Sequence, residues 1–237
     1  PIAVLDAISV DKAARGHGGA HALFEELQKA ARGRGARAIR TQIGWPDEGM
    51  AHFLGQAGFR LGTRLVLDRA TARVSGELRP GEAESEGQDL SEDRVAVRAM
   101  TIADLPSVIN IDKDITGTDR SAYFKRKAED ALRSNGVRMS MVAEIDGTPA
   151  GFVMARVDYG EFGHPESEAV FDTIGVDAEF AGQHVGSVLI AQLLDQLANL
   201  QVDRVRTVVE WNDAELIAFL DKLGFKPTQN MTLALSL

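Results

Sequence analysis

DAISVDKAARGHGGAHAL, residues 6–23, returns as DTIGVDAEFAGQHVGSVL at residues 172–189. The correspondence runs without a gap from residues 5–68 onto residues 171–234, at a constant offset of 166, with sixteen identical pairs. They fall where geometry is demanding: Asp6/Asp172, Ile8/Ile174, Val10/Val176, Gly16/Gly182, Phe53/Phe219, Leu54/Leu220, Gly58/Gly224 and Phe59/Phe225. The two tryptophans of the chain, Trp45 and Trp211, also coincide. Solenoid repeats are roughly 20–50 residues long and recur many times, so two long copies indicate a duplicated domain segment.

The copies are unequal in what precedes them. About 76 residues lead into the shared block of the second copy and four into that of the first. The first copy therefore lacks its front, and Pro1 is either a trimmed start or the edge of a fragment. Between the copies, Ser75–Asp93 (SGELRPGEAESEGQDLSED) is rich in acidic residues and glycine, the composition of a solvated linker. The expected organisation is a partial domain over 1–72, a linker over 73–93 and a complete domain over 94–237. If the front is absent, the first copy exposes a sheet edge, and pairing with the other copy or with a second subunit in a homodimer is expected.

Composition narrows the classes. The chain of 237 residues is 44% hydrophobic, enough for one or two cores. Its apolar runs fall short of a membrane span and no basic-then-apolar leader opens it, which predicts no membrane partner and a cytoplasmic location. Zero cysteines exclude disulfides and thiolate chemistry. A net charge of -9 argues against nucleic acid as a partner and mildly favours a cationic or neutral small one.

The second half reads as β, α, α, β, β, β, α, β, α, β. Val95–Arg98 is a short strand, and Ile102–Asp112 has helical apolar spacing behind a cap at Thr101. A second helix is expected near Ala122–Ser134. MSMVAEIDGTPAGFVMARV alternates around Asp146–Gly147, a hairpin signal. Residues 158–168 read as loop, Ala169–Val176 as a buried strand, Gly186–Ala198 as a helix, Val205–Val209 as a strand, Asp213–Lys222 as the last helix, and Met231–Leu235 as a closing strand. The fold class is α/β, a mixed sheet flanked by helices, duplicated.

Chemistry concentrates where a strand runs into a helix. In the first copy this junction is Val10 to Ala20, containing Arg15, Gly16, His17, Gly18 and Gly19. Small residues there let backbone N–H groups approach an anion, and the helix N-terminus adds its positive dipole end. A glycine-rich turn alone is as often only a tight turn.

In this order the motifs resemble the GCN5-related N-acetyltransferase superfamily. Its signature is a strand ending in Val-Asp, then Arg/Gln-x-x-Gly-x-Gly/Ala opening a helix, then a later helix ending in Gly-Phe. Arg15, Gly18 and Ala20 match in the first copy, and Asp146–Gly147 with Gly151–Phe152 matches the family's central hairpin. The resemblance implies the acyl-CoA N-acyltransferase fold, a twisted and mostly antiparallel sheet. It also implies loop amides that hold the pyrophosphate of acetyl-CoA as cosubstrate, and a strand edge that holds its pantetheine arm. That edge would be Ile8, Ser9 and Val10 in the first copy, and Ile174, Gly175 and Val176 in the second. The second loop, Ala181 to Ser187, departs from the pattern: it lacks Arg/Gln at its head and has His184 where glycine is usual. Gly182, Gln183, Val185, Gly186 and Ser187 still offer amides. Only the second copy has the early helices that shape an amine pocket, so the working site is expected there.

The resemblance further implies direct transfer to a primary amine, of a small molecule or of a peptide, in a ternary complex. The tyrosine that many relatives use as acid is replaced by Leu54 and Leu220. Of the two tyrosines, Tyr159 lies beside Glu161 in the expected loop before the fourth strand, and this pair is the candidate acid and base; the bland alternative is that both are surface residues. Asn212 begins the last helix and either contacts the cofactor or caps the helix. His17 and His21 have i, i+4 spacing, but with no third ligand evident no metal site is expected. The cluster Arg120, Lys125, Arg126 and Lys127 is either a contact for the adenosine phosphate or a solvated helix face. The competing class of function is a catalytically inactive acyl-CoA-binding module.

Overall fold

The computed structural model describes residues 2–71, 94–133, 138–159 and 167–237. The linker 73–93 and Glu161 lie outside the described residues. The first copy contains β1 (Ile2–Val4), α1 (Gly19–Gly33), β2 (Ala38–Gly44), α2 (Glu48–Gln56), β3 (Arg60–Leu61) and β4 (Arg64–Ala70). The second opens with β5 (Val95–Ala99), α3 (Leu105–Thr116), α4 (Ser121–Arg133), β6 (Arg138–Ile145) and β7 (Thr148–Tyr159). It continues with β8 (Ser167–Val176), α5 (Val185–Asn199), β9 (Arg204–Glu210), α6 (Ala214–Lys222), β10 (Lys226–Pro227) and β11 (Asn230–Ser236). From α1 to β4, every element has a counterpart of the same length 166 residues on, in α5 to β11.

The turns repeat as faithfully as the elements. Left-handed backbone occurs at Gly16, Gly18, Gly35 and Gly58, and again at Gly182, His184, Gln201 and Gly224. Each pair is 166 apart. Two glycines of the first copy have thus become a histidine and a glutamine, side chains that hold this conformation at a cost of roughly 1–2 kcal/mol.

In the second copy, Thr101 and Asp104 form a reciprocal capping box at the head of the first helical segment. The Asp104 carboxylate also takes a two-pronged contact from Arg98 at 2.7 and 2.8 Å, and Arg98 reaches Glu144 at 2.6 Å. Gly117, left-handed, ends α3. Asp146 and Gly147 both have positive φ, as the two-residue turn joining β6 to β7 requires. Leu189, Ile190, Leu193 and Leu197 of α5 are fully buried, and under α3 and α4 the rings of Phe124 and Phe152 meet edge-on at 5.8 Å.

The sheets are mixed and mostly antiparallel: one has the order β1-β2-β11-β3, the other β10-β4-β9-β8-β7-β6-β5. Only β1 with β2 and β8 with β9 pair in parallel among the described registers. The last strand of each copy sits among strands of the other. All seven residues of β11 pair with β2, from Asn230↔Gly44 to Ser236↔Ala38, and Leu233 joins the core of Leu5, Phe24, Ile39, Leu54 and Phe59. The compact units consequently do not follow the halves of the sequence. One comprises 1–67, 208–218 and 227–237; the other comprises 68–207 and 219–226. Residues 208–218 and 227–237 fall in the first unit, where β2 and β3 are the backbone partners of β11.

One expected strand is missing. The sequence pattern extends the strand through residues 8–10 into the glycine-rich loop, but β1 ends at Val4, and Leu5 makes the last backbone bond, to Arg40 O at 2.8 Å. Its counterpart β8 runs on to Val176 because β7 pairs with it to the end, Gly151↔Val176. Among the described residues no strand lines the corresponding edge of β1. Without a neighbouring strand to pair with, Ile8, Ser9 and Val10 leave the sheet.

Candidate active site

Two junctions with the same construction are candidates. In each, an aspartate starts a short 3₁₀ turn by accepting a backbone N–H: Asp11 from Ala13 at 2.8 Å, Asp177 from Glu179 at 2.9 Å. A left-handed glycine follows, and a second left-handed residue, Gly18 or His184, becomes the N-cap of α1 or α5. Neither cap has a side-chain acceptor for the helix amides. The N–H groups of Gly19, Ala20 and His21, and of Val185, Gly186 and Ser187, therefore have no partner inside their helices. Helices α2 and α6 differ: Asp47 accepts from Met50 at 3.0 Å and Asp213 from Leu216 at 3.1 Å. Uncapped amides and the positive end of a helix dipole together receive an anion such as a pyrophosphate.

The junctions differ in their surroundings. The first lines a concavity of about 430 Å³ with Val10, Arg15, Gly16, Gly18, Gly19 and Phe53. Arg15 folds against its own loop, Nε donating to Val10 O at 3.3 Å, and His17 Nδ1 lies 3.0 Å from Arg15 O. His17 precedes α1, so its helical spacing to His21 does not apply, and the His21 ring packs edge-on against Phe53 at 5.2 Å. A Cβ at Gly16 or Gly18 would meet nothing within 4 Å, so backbone conformation alone calls for glycine there. In the second junction Val185 is buried, while Gln183, His184, Gly186 and Ser187 are half-buried. Gly186 has a packing reason: a Cβ there would stand 3.1 Å from the Phe219 ring.

The second junction alone follows a full strand. Ile174, Gly175 and Val176 belong to β8, and pairing of β8 with β9 runs only from Glu168↔Arg204 to Val170↔Arg206. Beyond Val170 the β8 edge on that side carries no described pairing. On its other side the register with β7 slips, Met154↔Thr173 being followed by Ala155↔Phe171, so Asp172 is an extra, bulged residue. The bulge turns Asp172 towards α4, where Lys127 donates to it, and Arg156 Nη1 holds its other oxygen at 2.7 Å. Tyr123 lies alongside, its ring centre 5.3 Å from Lys127 Nζ and 5.5 Å from the Arg120 guanidinium carbon. Burial, reinforced by the charge of Asp172, pushes the Tyr123 phenol up to about 12.

This cluster was not read from the sequence as a site. Its signal was the Asp6/Asp172 identity inside an apolar strand; the bulge that aims the carboxylate has no local signature. Of the expected acid and base, Tyr159 ends β7 with its side chain outside the described residues, as is all of Glu161. Asn212 is exposed and lies two residues before α6, whose cap is Asp213, the residue with a carboxylate in reach of the Leu216 amide. Within the basic cluster, Arg120 is committed to Asp112 at 2.8 Å and Lys127 to Asp172, whereas Lys125 and Arg126 are exposed. Leu54 and Leu220 are fully buried, so a hydroxyl at either place would face the core. Among the described residues no helix is long and apolar enough to cross a membrane.

A family model described as the acetyltransferase (GNAT) family matches residues 105–225. Among solved structures, a tandem GNAT protein from the clavulanic acid biosynthesis pathway is similar over 100% of this chain and 75% of its own, at TM-score 0.69 and 16% identity. A GCN5-related N-acetyltransferase from Sphaerobacter thermophilus is similar over 96% and 70%, at TM-score 0.58 and 12% identity. A conserved protein of unknown function from Staphylococcus epidermidis covers 98% and 83%, at TM-score 0.57 and 14% identity. At these identities the likeness is one of fold. No curated protein matches the chain in sequence.

Proposed function

The chain belongs to the GNAT acetyltransferase family, and from that premise we propose that it is an N-acetyltransferase that uses acetyl-CoA and a primary amine, with the working site in the second copy. The observation that carries this reading is the continuity of the uncapped α5 N-terminus with the β8 edge that, among the described residues, has no pairing beyond Val170, and with the bulged Asp172. The first copy has the amides without the strand.

The residues present fit the donor. Amides of Val185, Gly186 and Ser187 hold the pyrophosphate, and the backbone of Ile174–Val176 takes the arm along the strand. Acetyl-CoA, when bound, supplies the activated acetyl carbon. The end of the arm lies towards Asp172, whose oxygens Lys127 and Arg156 hold, and transfer there needs a base within hydrogen-bond reach of the amine. The acceptor is a cationic amine on this reading, in line with the negative charge of the chain.

Calorimetric titration with acetyl-CoA, paired with thiol release over a panel of amines, tests the proposal. Saturable binding with thiol release supports it, and absence of binding overturns it. Buried Leu54 and Leu220, where the family's acid would stand, favour a second reading, CoA binding without transfer. Binding without thiol release for any amine would select that reading. Ser187→Asp and Ala20→Asp locate the site, because a carboxylate in the first helical turn suits the helix and repels pyrophosphate. Loss of binding only in Ser187→Asp is expected.

A further inference from the structure

We propose that Lys127 is itself an acyl acceptor, modified by the thioester bound in the second copy to give Nε-acetyl-Lys127. The inference rests on the acetyl-CoA-dependent reading above. Lys127 donates to Asp172, and the two side chains are 15% and 16% exposed. The other six of the seven lysines are exposed on the surface. Among the lysines, Lys127 is thus the one that the fold withdraws from solvent and holds at a carboxylate.

The place where it is held is specific. Asp172 precedes Val176 by four residues, about 13 Å of strand at the usual rise. An extended pantetheine arm is long enough to span that stretch of strand. A donor whose pyrophosphate rests on the α5 amides, and whose arm follows the β8 edge beyond Val170, ends with its carbonyl beside Asp172. The bulge turns Asp172 towards α4, so the Lys127 amine and the thioester end of the arm meet at one carboxylate.

Lys127 is protonated in the ion pair and reacts once Asp172 or water has taken a proton. The Nζ lone pair then forms the N–C bond, the C–S bond breaks, and its electron pair leaves on sulfur. Of the two protons that leave Nζ, one ends on the thiol and the other in solvent. The amide product is neutral and no longer balances Asp172, leaving that carboxylate to Arg156.

The full chain is incubated with acetyl-CoA and mapped by peptide mass spectrometry, with acetyl-CoA binding followed separately by calorimetry. Acetylation at Lys127 should exceed that at any exposed lysine by at least about tenfold, at a rate independent of protein concentration, since the donor is delivered within the chain. Lys127→Arg should keep the contact with Asp172 and acetyl-CoA binding while abolishing the label. Chemical background gives the opposite pattern, favouring the exposed lysines. Binding of acetyl-CoA with Lys127 unmodified, or with label spread over the exposed lysines, overturns the inference and leaves the transferase reading standing. Absence of binding overturns both.

Discussion

The backbone N–H of Trp211 donates to the carbonyl of Thr63 at 2.8 Å. The same bond recurs with the copies interchanged, Trp45 N–H to Gln229 O at 2.9 Å. Thr63 and Gln229 stand immediately before β4 and β11, the two strands that the copies exchange. Each tryptophan therefore fastens the turn that sends the other copy's last strand across. Both indole rings are exposed, so backbone placement and not burial is what the structure shows for this repeated residue.

Because β11 completes the core of the first copy, damage at the C-terminus should unfold residues far away in sequence. Leu233→Ala is expected to cost about 2–3 kcal/mol, the usual loss for a buried leucine. Urea denaturation followed by tryptophan fluorescence measures it. A loss within experimental error would show that β11 adds little to the unit that contains Phe24 and Leu54.

Gln201 holds a left-handed conformation that Gly35 holds in the first copy, at φ 57° and 75°. Gln201→Gly should stabilise the protein by about 0.5–1 kcal/mol, and Gly35→Ala should destabilise it by a similar amount. Opposite signs in thermal melts are the expected result. Equal signs would mean that contacts of the glutamine side chain outweigh backbone strain.

The Arg98 guanidinium and the Thr101 amide hold the Asp104 carboxyl well below the usual carboxylate range. A depressed pKa contributes stability that is present above the unfolded value, near 4, and is lost as pH falls below it. Wild type should therefore lose melting temperature steeply below about pH 4. Asp104→Asn should melt lower at pH 7 and show a flatter acid limb. Parallel limbs in the two proteins would remove Asp104 as the cause.

Gly175 lies in β8 with the Phe152 ring 2.7 Å and Ile115 3.1 Å from where a Cβ would be. Gly175→Ala must displace a packed ring, and a cost of about 1–3 kcal/mol is expected. Gly18→Ala meets open space and is expected to cost about 1 kcal/mol through its left-handed backbone alone. Comparison of the two by chemical denaturation separates packing from conformation.

Much of this molecule was legible in its residues. The paired glycines Gly16/Gly182 and Gly58/Gly224 marked turns that the structure holds at positive φ, because such reversals favour glycine, whereas Gly35 with Gln201 carried no shared residue to mark it; helix boundaries followed from apolar period and from caps such as Thr101. The two strand-to-helix junctions were legible for the same local reason. Three things were not. Whether residues 8–10 form a strand depends on a neighbour such as β7, not on their own side chains. Nothing in NMTLALS says that β2 will be its partner, since a strand of that pattern fits either sheet. The role of Asp172 was hidden because a bulge arises from the mismatch of two strands, and only that mismatch brings its carboxylate to Lys127 and Arg156. Local sequence determined the elements and their turns; pairing between distant segments decided which strands complete which sheet and which charges meet at the site.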